Sequence, residues 1–314
     1  MRGGLRAAAA RLRRGDGVAH AVAFAFGGAV VGLAGLLAWE LWRNSALTRT
    51  QFGLGFLVSQ TWDPAAGQFG AAAFVYGTLM TSAIALLIAV PTGIGVAIFL
   101  AELAPRRLSS TAGMLLELLA AIPSVIYGLV GIAVLVPVMR QWVQPGLKTL
   151  TGGFPLFSGP AYGIGLLTAG VVLAVMIVPF IVSVGREVLL SVPRDQREAA
   201  LALGSTRWES TWKVVLPYAR PGLYGAVFLA LGRALGETMA VTMVIGNRPE
   251  IAASLFAPAY SMAAVIANEF SEASEELYLH ALIEVALVLF LLTMVINAVA
   301  RGLIAATEGA SRSR

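Results

Sequence analysis

Residues 191–217 read SVPRDQREAALALGSTRWESTWKVVLP. This polar, charged stretch stands between two long apolar runs, and the rest of the chain is arranged around it. Pro193 suits a first helical turn, and Asp195 and Glu198 lie near the positive end of the helix it opens. Gly204 supplies a C-terminal stop. Thr206 with Glu209 three residues on is a capping box that starts a second helix, on which Trp208 and Trp212 share one face and which Pro217 closes. The stretch therefore predicts a helix-turn-helix lying along a membrane surface, able to meet a soluble partner or lipid headgroups.

Working outward, the composition explains why such an element needs a membrane beside it. Of 314 residues, 58% are hydrophobic and 12% charged, where soluble domains carry roughly 25% charge. The mean hydropathy is +0.81. So many apolar runs cannot be hidden in one globular core of this size, which makes the chain an all-α integral membrane protein. Spans are expected at 18–42, 74–101, 113–139, 162–185, 220–246 and 281–305. The first of these exceeds the ~7 to 15 residues of a signal-peptide apolar region and has no A-x-A site after it, so it reads as a span. Trp39 and Trp42 at its far end suit an interfacial belt. The chain divides into a basic arm at 1–17, with Arg2, Arg6, Arg11, Arg13 and Arg14, and a transmembrane domain at 18–314, with its core at about 74–305.

Lys and Arg fix the orientation. With the N-terminus inside, outer segments hold only Arg43, Arg49, Arg140, Lys148 and Arg248, and Arg233 falls within a span. The remaining sixteen of the 22 lie inside, so both termini are expected in the cytoplasm. The basic balance is thus a topology signal, and nucleic acid is not an expected partner. Pro91, Pro123, Pro137 and Pro179 fall inside spans, where they kink helices. The pairs Gly28 with Gly32 and Gly232 with Gly236 would permit close helix approach. The chain has no cysteine, which excludes disulfides, thiolate nucleophiles and zinc-thiolate sites. His20 and His280 stand apart from any metal-ligand spacing, and no metal site is expected.

Glu198-Ala199-Ala200, three residues, Gly204, nine residues, then Val214-Val215-Leu216-Pro217 resembles the EAA loop of ABC importer permeases, E-A-A-x3-G-x9-I-x-L-P, with Val214 in the place of isoleucine. In that family the loop is the coupling helix that docks on the ATPase subunit. The resemblance assigns this role to Glu198, Ala199, Ala200, Gly204, Leu216 and Pro217, with the two small alanines allowing close approach. Residues 232–241, GRALGETMAV, with Ile245-Gly246-Asn247 and the 121–128 run AIPSVIYG, are similar to the PstC-type permeases of phosphate importers. The similarity runs from about residue 74 to the C-terminus. It implies a type I importer permease fold with six spans in the bacterial inner membrane. It also implies a PstA-like permease partner, two ATP-binding subunits that hold ATP and Mg, and an extracytoplasmic phosphate-binding protein. A permease for molybdate or sulfate is the alternative cargo reading. An ATP-independent channel or ion-driven carrier is the alternative class.

Arg233 lies about 12 residues, or about 18 Å, into its expected span, near the bilayer centre, where a charge must face the bundle interior and find a partner. Glu237, four residues on, is placed to pair with it. Either the pair serves the substrate, Arg233 offering its fork to phosphate oxygens while Glu237 holds it when empty, or it is a structural bridge. Glu117 is expected to cap the first turn of its span, and Glu269, Glu272, Glu275 and Glu276 to form a solvated outer face. Glu284 and Asn297 carry no assigned role. No G-x-x-x-x-G-K-[ST] occurs, and lysine is present only at 148 and 213, so no phosphate-cradling P-loop can be assembled and no enzymatic ATP hydrolysis is expected of this chain alone. No cofactor is expected on it.

Overall fold

The computed structural model describes residues 16–312, so the basic arm expected at 1–17 lies almost wholly outside the described residues. Among the described residues the chain is helical, with only two isolated backbone bridges, Asp63 to Gln68 and Gly246 to Ala259. We name the main helices α1 (Asp16–Asn44), α2 (Ala72–Leu103), α3 (Arg106–Ala120), α4 (Ser124–Leu150), α5 (Leu166–Leu190), α6 (Arg194–Ala202), α7 (Arg207–Leu235), α8 (Met239–Ile245), α9 (Met262–Glu269) and α10 (Glu276–Arg312). Six of them, α1, α2, α4, α5, α7 and α10, are long and apolar enough to cross a membrane.

The bundle is built around α5, 67% of whose most apolar stretch is buried, whereas the corresponding stretch of α1 buries nothing. α5 lies along α2 by a reciprocal fit. Gly93 of α2 faces Ile181 of α5, and Gly170 of α5 faces Ile84 of α2. An added Cβ would come within 2.7 Å and 2.5 Å of those isoleucine methyls. Each helix leaves a hollow where the other has a branched side chain, which gives the close-packed seam that helix association in lipid requires. The glycine pairs singled out from the sequence do not play this part. Nothing lies within 4 Å of a Cβ at Gly28 or Gly32, and Gly232 and Gly236 have only distant neighbours.

Three expected elements are redrawn. The span expected at 113–139 is two helices: α3 is amphipathic and ends at Ala120, and α4 starts after Pro123, whose own φ and ψ are extended at −57° and 138°. Pro123 disfavours helical geometry in the residue before it and has no N–H to donate, so it breaks the chain where a kink was expected. Glu117 consequently lies in the last turn of α3, exposed, and caps no helix start. Pro217 does not close the polar stretch either. The helix that starts at Arg207 runs through it into the fifth span. A π-helical turn over Thr211–Val215 immediately precedes Pro217. That wider turn relieves the clash a proline ring makes with the carbonyl four residues back. Finally, the span expected at 220–246 stops at Leu235 and resumes as the short α8.

In the acidic group expected to be solvated, Glu269 is no solvated charge. Its Oε2 accepts hydrogen bonds from Trp62 Nε1 at 2.8 Å and from the Tyr278 hydroxyl at 2.7 Å, inside a cluster of Trp62, Phe69, Phe74 and Tyr278 rings. Glu272, Glu275 and Glu276 stay exposed. Glu284 is buried in α10, facing the segment that carries Arg49. Arg49 itself lies 3.5 Å over the Trp42 ring and donates to the Trp42 carbonyl at 2.6 Å.

Candidate functional site

Two places in the fold gather the residues singled out from the sequence. The first is the turn between α6 and α7. Pro193 immediately precedes α6 in an extended conformation, one position earlier than a first-turn proline. At the other end Ser205 N–H donates to the Ala200 carbonyl at 3.2 Å and Gly204 N–H to the Leu201 carbonyl at 3.0 Å. This is a Schellman closure, and it requires the positive φ of +89° found at Gly204. Thr206 Oγ1 accepts from Glu209 N–H at 3.2 Å while Glu209 Oε2 accepts from Thr206 N–H at 3.0 Å, so the capping box forms as read. Trp208 and Trp212 meet edge to face with centroids 5.5 Å apart.

The outward face of this turn carries Glu198, Ala199, Ala202 and Leu203, the last of which is 89% exposed. The two alanines of the motif do not share an environment. Ala199 faces outward, and Ala200 is buried against the body of the protein. Leu216 packs with Val215, Ala219 and Leu223 on the inner side, and Pro217 is exposed. A small, rigid, partly apolar knob thus stands on the end of the bundle, its backbone groups satisfied within itself.

The second place is the interruption between α7 and α8. Arg233 sits two residues before the end of α7, exposed, and 236–238 are not helical. Glu237 turns the other way: its Oε1 accepts the Ala240 N–H at 3.2 Å at the start of α8. The expected pair therefore does not form, since no ion pair joins Arg233 to Glu237. The reason is the break itself. An i to i+4 contact needs an unbroken helix, and here each charge complements a helix end, a cation at the C-terminus of α7 and an anion at the N-terminus of α8. Each such placement is worth about 0.3 to 1 kcal/mol.

Arg233 is left facing the second interrupted helix. Tyr127 of α4 lies within its electrostatic reach and donates its hydroxyl to the Leu119 carbonyl at 2.8 Å, bridging the α3–α4 break. Gly128 lies against Ala240 and Met243 of α8, and Asn297 of α10 is beside Gly232. α8 thus packs on the first turns of α4, just beyond the break at 121–123, and Arg233 near them has no carboxylate partner among the described residues. In the sequence Asn297 carries no assigned role and Tyr127 is part of a motif only. Neither spacing nor composition connects them to Arg233.

Against known proteins, residues 93–310 match the family of binding-protein-dependent transport system inner membrane components. The chain is 51% identical over 290 residues to the phosphate transport system permease protein PstC of Mesorhizobium japonicum, covering 91% of this chain and 89% of that protein. It is likewise 51% identical over 261 residues to the protein of the same name from Pasteurella multocida, covering 82% and 81%. Among solved structures, an inward-facing conformation of the MetNI methionine ABC transporter superimposes with a TM-score of 0.53 at 21% identity, over 79% of this chain and 99% of that one. That likeness is one of fold.

Proposed function

The chain belongs to the binding-protein-dependent transport system inner membrane components, as a multi-pass inner membrane permease of a phosphate importer, and we propose that Arg233 is its anion-handling residue and the α6–α7 turn its coupling element. The cargo rests on one observation above the others, 51% identity to a phosphate permease sustained over 91% of the chain.

A permease must let an anion pass without holding it. Arg233 suits this: it carries a planar fork that matches phosphate oxygens, and among the described residues it is bound to no carboxylate that the cargo would have to displace. Its position where two interrupted helices meet is the kind of place where membrane carriers build substrate pathways, because irregular backbone within a membrane is tolerated where it lines a cavity. Glu237 keeps its charge engaged with the α8 backbone, close enough to weaken a permanent phosphate complex and so favour release. Tyr127 and Asn297 line the same neighbourhood.

The energy comes from elsewhere. Without a P-loop the chain hydrolyses no ATP by itself, and no cofactor is assigned to it. Two ATP-binding subunits carry ATP and Mg, a PstA-like permease completes the pathway, and an extracytoplasmic phosphate-binding protein delivers the cargo. With both termini in the cytoplasm, the α6–α7 turn faces those ATPases, and its exposed Ala199, Ala202 and Leu203 offer a compact apolar contact. Motion imposed there reaches Arg233 directly, since α7 runs from the capping box at Thr206 to the break after Leu235.

Uptake of labelled phosphate by the reconstituted importer, with unlabelled oxyanions as competitors, tests the cargo. Phosphate is expected to compete best, and stronger competition by molybdate or sulfate would overturn the assignment.

A further inference from the structure

Arg197 sits on the inward side of α6 and reaches three elements at once. Its Nε donates to both oxygens of the Glu102 carboxylate, at 3.2 and 3.3 Å, and its Nη2 to Glu102 Oε1 at 2.8 Å. Nη2 also donates to the Leu189 carbonyl at 2.7 Å, and Nη1 to the Val192 carbonyl. Leu189 is in the last turn of α5 and Val192 just beyond it, where a helix end leaves carbonyls without intrahelical partners. Glu102 belongs to the π-helical end of α2, Phe99–Leu103.

The other ion pairs among the described residues join near neighbours in sequence and have at least one largely exposed partner. This one joins residues 95 positions apart, with side-chain exposures of 20% for Arg197 and 11% for Glu102. A pair so enclosed and so fully hydrogen-bonded holds a geometry.

We propose that Arg197 is a positioning residue of the transport cycle, which fixes the coupling helix α6 to the inner ends of α2 and α5 so that displacement of α6 moves those two spans. Without it, α6 is joined to α5 by the short turn at 191–193, whose backbone can rotate. The planar fork opposes such rotation by anchoring on two helices at once, which a lysine cannot do. The seam of Gly93 against Ile181 and Gly170 against Ile84 then carries the displacement along α2 and α5 as one body. The inference rests on the reading that α6 docks on the ATPase, and the test separates the two.

Phosphate uptake and ATP hydrolysis are measured on the same proteoliposomes holding the whole importer, after checking which subunits copurify. Arg197→Gln should retain its ATPase subunits and continue to hydrolyse ATP while phosphate moved per ATP falls about tenfold, within the range of typical coupling energies. Arg197→Lys should be intermediate. Glu102→Gln, which leaves the two carbonyl contacts in place, should lower the same ratio less, and it carries the test if Arg197→Gln does not accumulate. A wild-type ratio in these variants, or uptake and hydrolysis falling in proportion, would overturn the inference, as would loss of the ATPase subunits. Leu203→Asp, at the exposed tip, tests the docking reading separately. It should release the ATPase, and if it does not, that reading fails while the ratio in Arg197→Gln still decides the role of Arg197.

Discussion

The turn between α6 and α7 and the interruption between α7 and α8 lie at opposite ends of one helix and treat their polar groups in opposite ways. At the first, the backbone ends are closed by a Schellman motif and a capping box, and the inward arginine is bonded on all sides. At the second, a guanidinium at a helix break has no carboxylate partner among the described residues, and the nearby glutamate bonds the backbone. The difference suits the two tasks proposed for them. A surface that receives force must keep its shape, whereas a surface that passes an anion must keep a charge free to meet it.

Mutations can break or sharpen this contrast. The largest effect is expected from Arg233→Gln: uptake should fall at least about 100-fold with the complex assembled, as expected for losing charge-assisted hydrogen bonds worth about 3 kcal/mol. Loss of assembly would make Arg233 a structural residue and erase the contrast. Gly204→Pro comes next, since proline can neither adopt the φ of +89° nor donate to the Leu201 carbonyl. Copurification should show the ATPase released, or hydrolysis should continue with uptake down about tenfold; normal coupled uptake would show that the knob need not be rigid. Glu237→Ala removes the acceptor for the Ala240 N–H, a loss of about 1 kcal/mol by analogy with helix caps, and should slow uptake a few fold. An effect as large as that of Arg233→Gln would mean the carboxylate works on the cargo as well. The smallest effect is expected from Thr206→Ala. Hydrogen exchange of the amides at 207–210 should quicken about fivefold while uptake stays near normal.

The same contrast explains what could be read from the sequence. The Gly204 stop and the Thr206 box were legible because each depends on residues within a few positions of one another. The number of spans was legible because hydropathy alone decides it, whereas the ends of the third and fifth were not. The break at Gly236 was not, since a glycine in an apolar run is compatible with a continuing helix, and continuity was what made Arg233 and Glu237 look like partners. The bond from Arg197 to Glu102 has no local signature, and the packing glycines Gly93 and Gly170 look no different in sequence from Gly28 and Gly32 until Ile181 and Ile84 face them. Pro217 misled for a related reason: a proline signals an end only when the turn before it keeps α-helical spacing, and Thr211–Val215 does not.

That π-helical turn has a mechanical consequence. Because it lets the helix pass Pro217 unbroken, the 29 residues of α7, which also take in Pro221, run as one helix of about 43 Å at 1.5 Å per residue. A rocking of the Arg207 end by only about 5° would sweep the opposite tip through roughly 4 Å, more than the length of a hydrogen bond. Arg233 stands at that tip, so under the proposed coupling a modest rotation at the α6–α7 turn is geared up into making or losing contact with an anion.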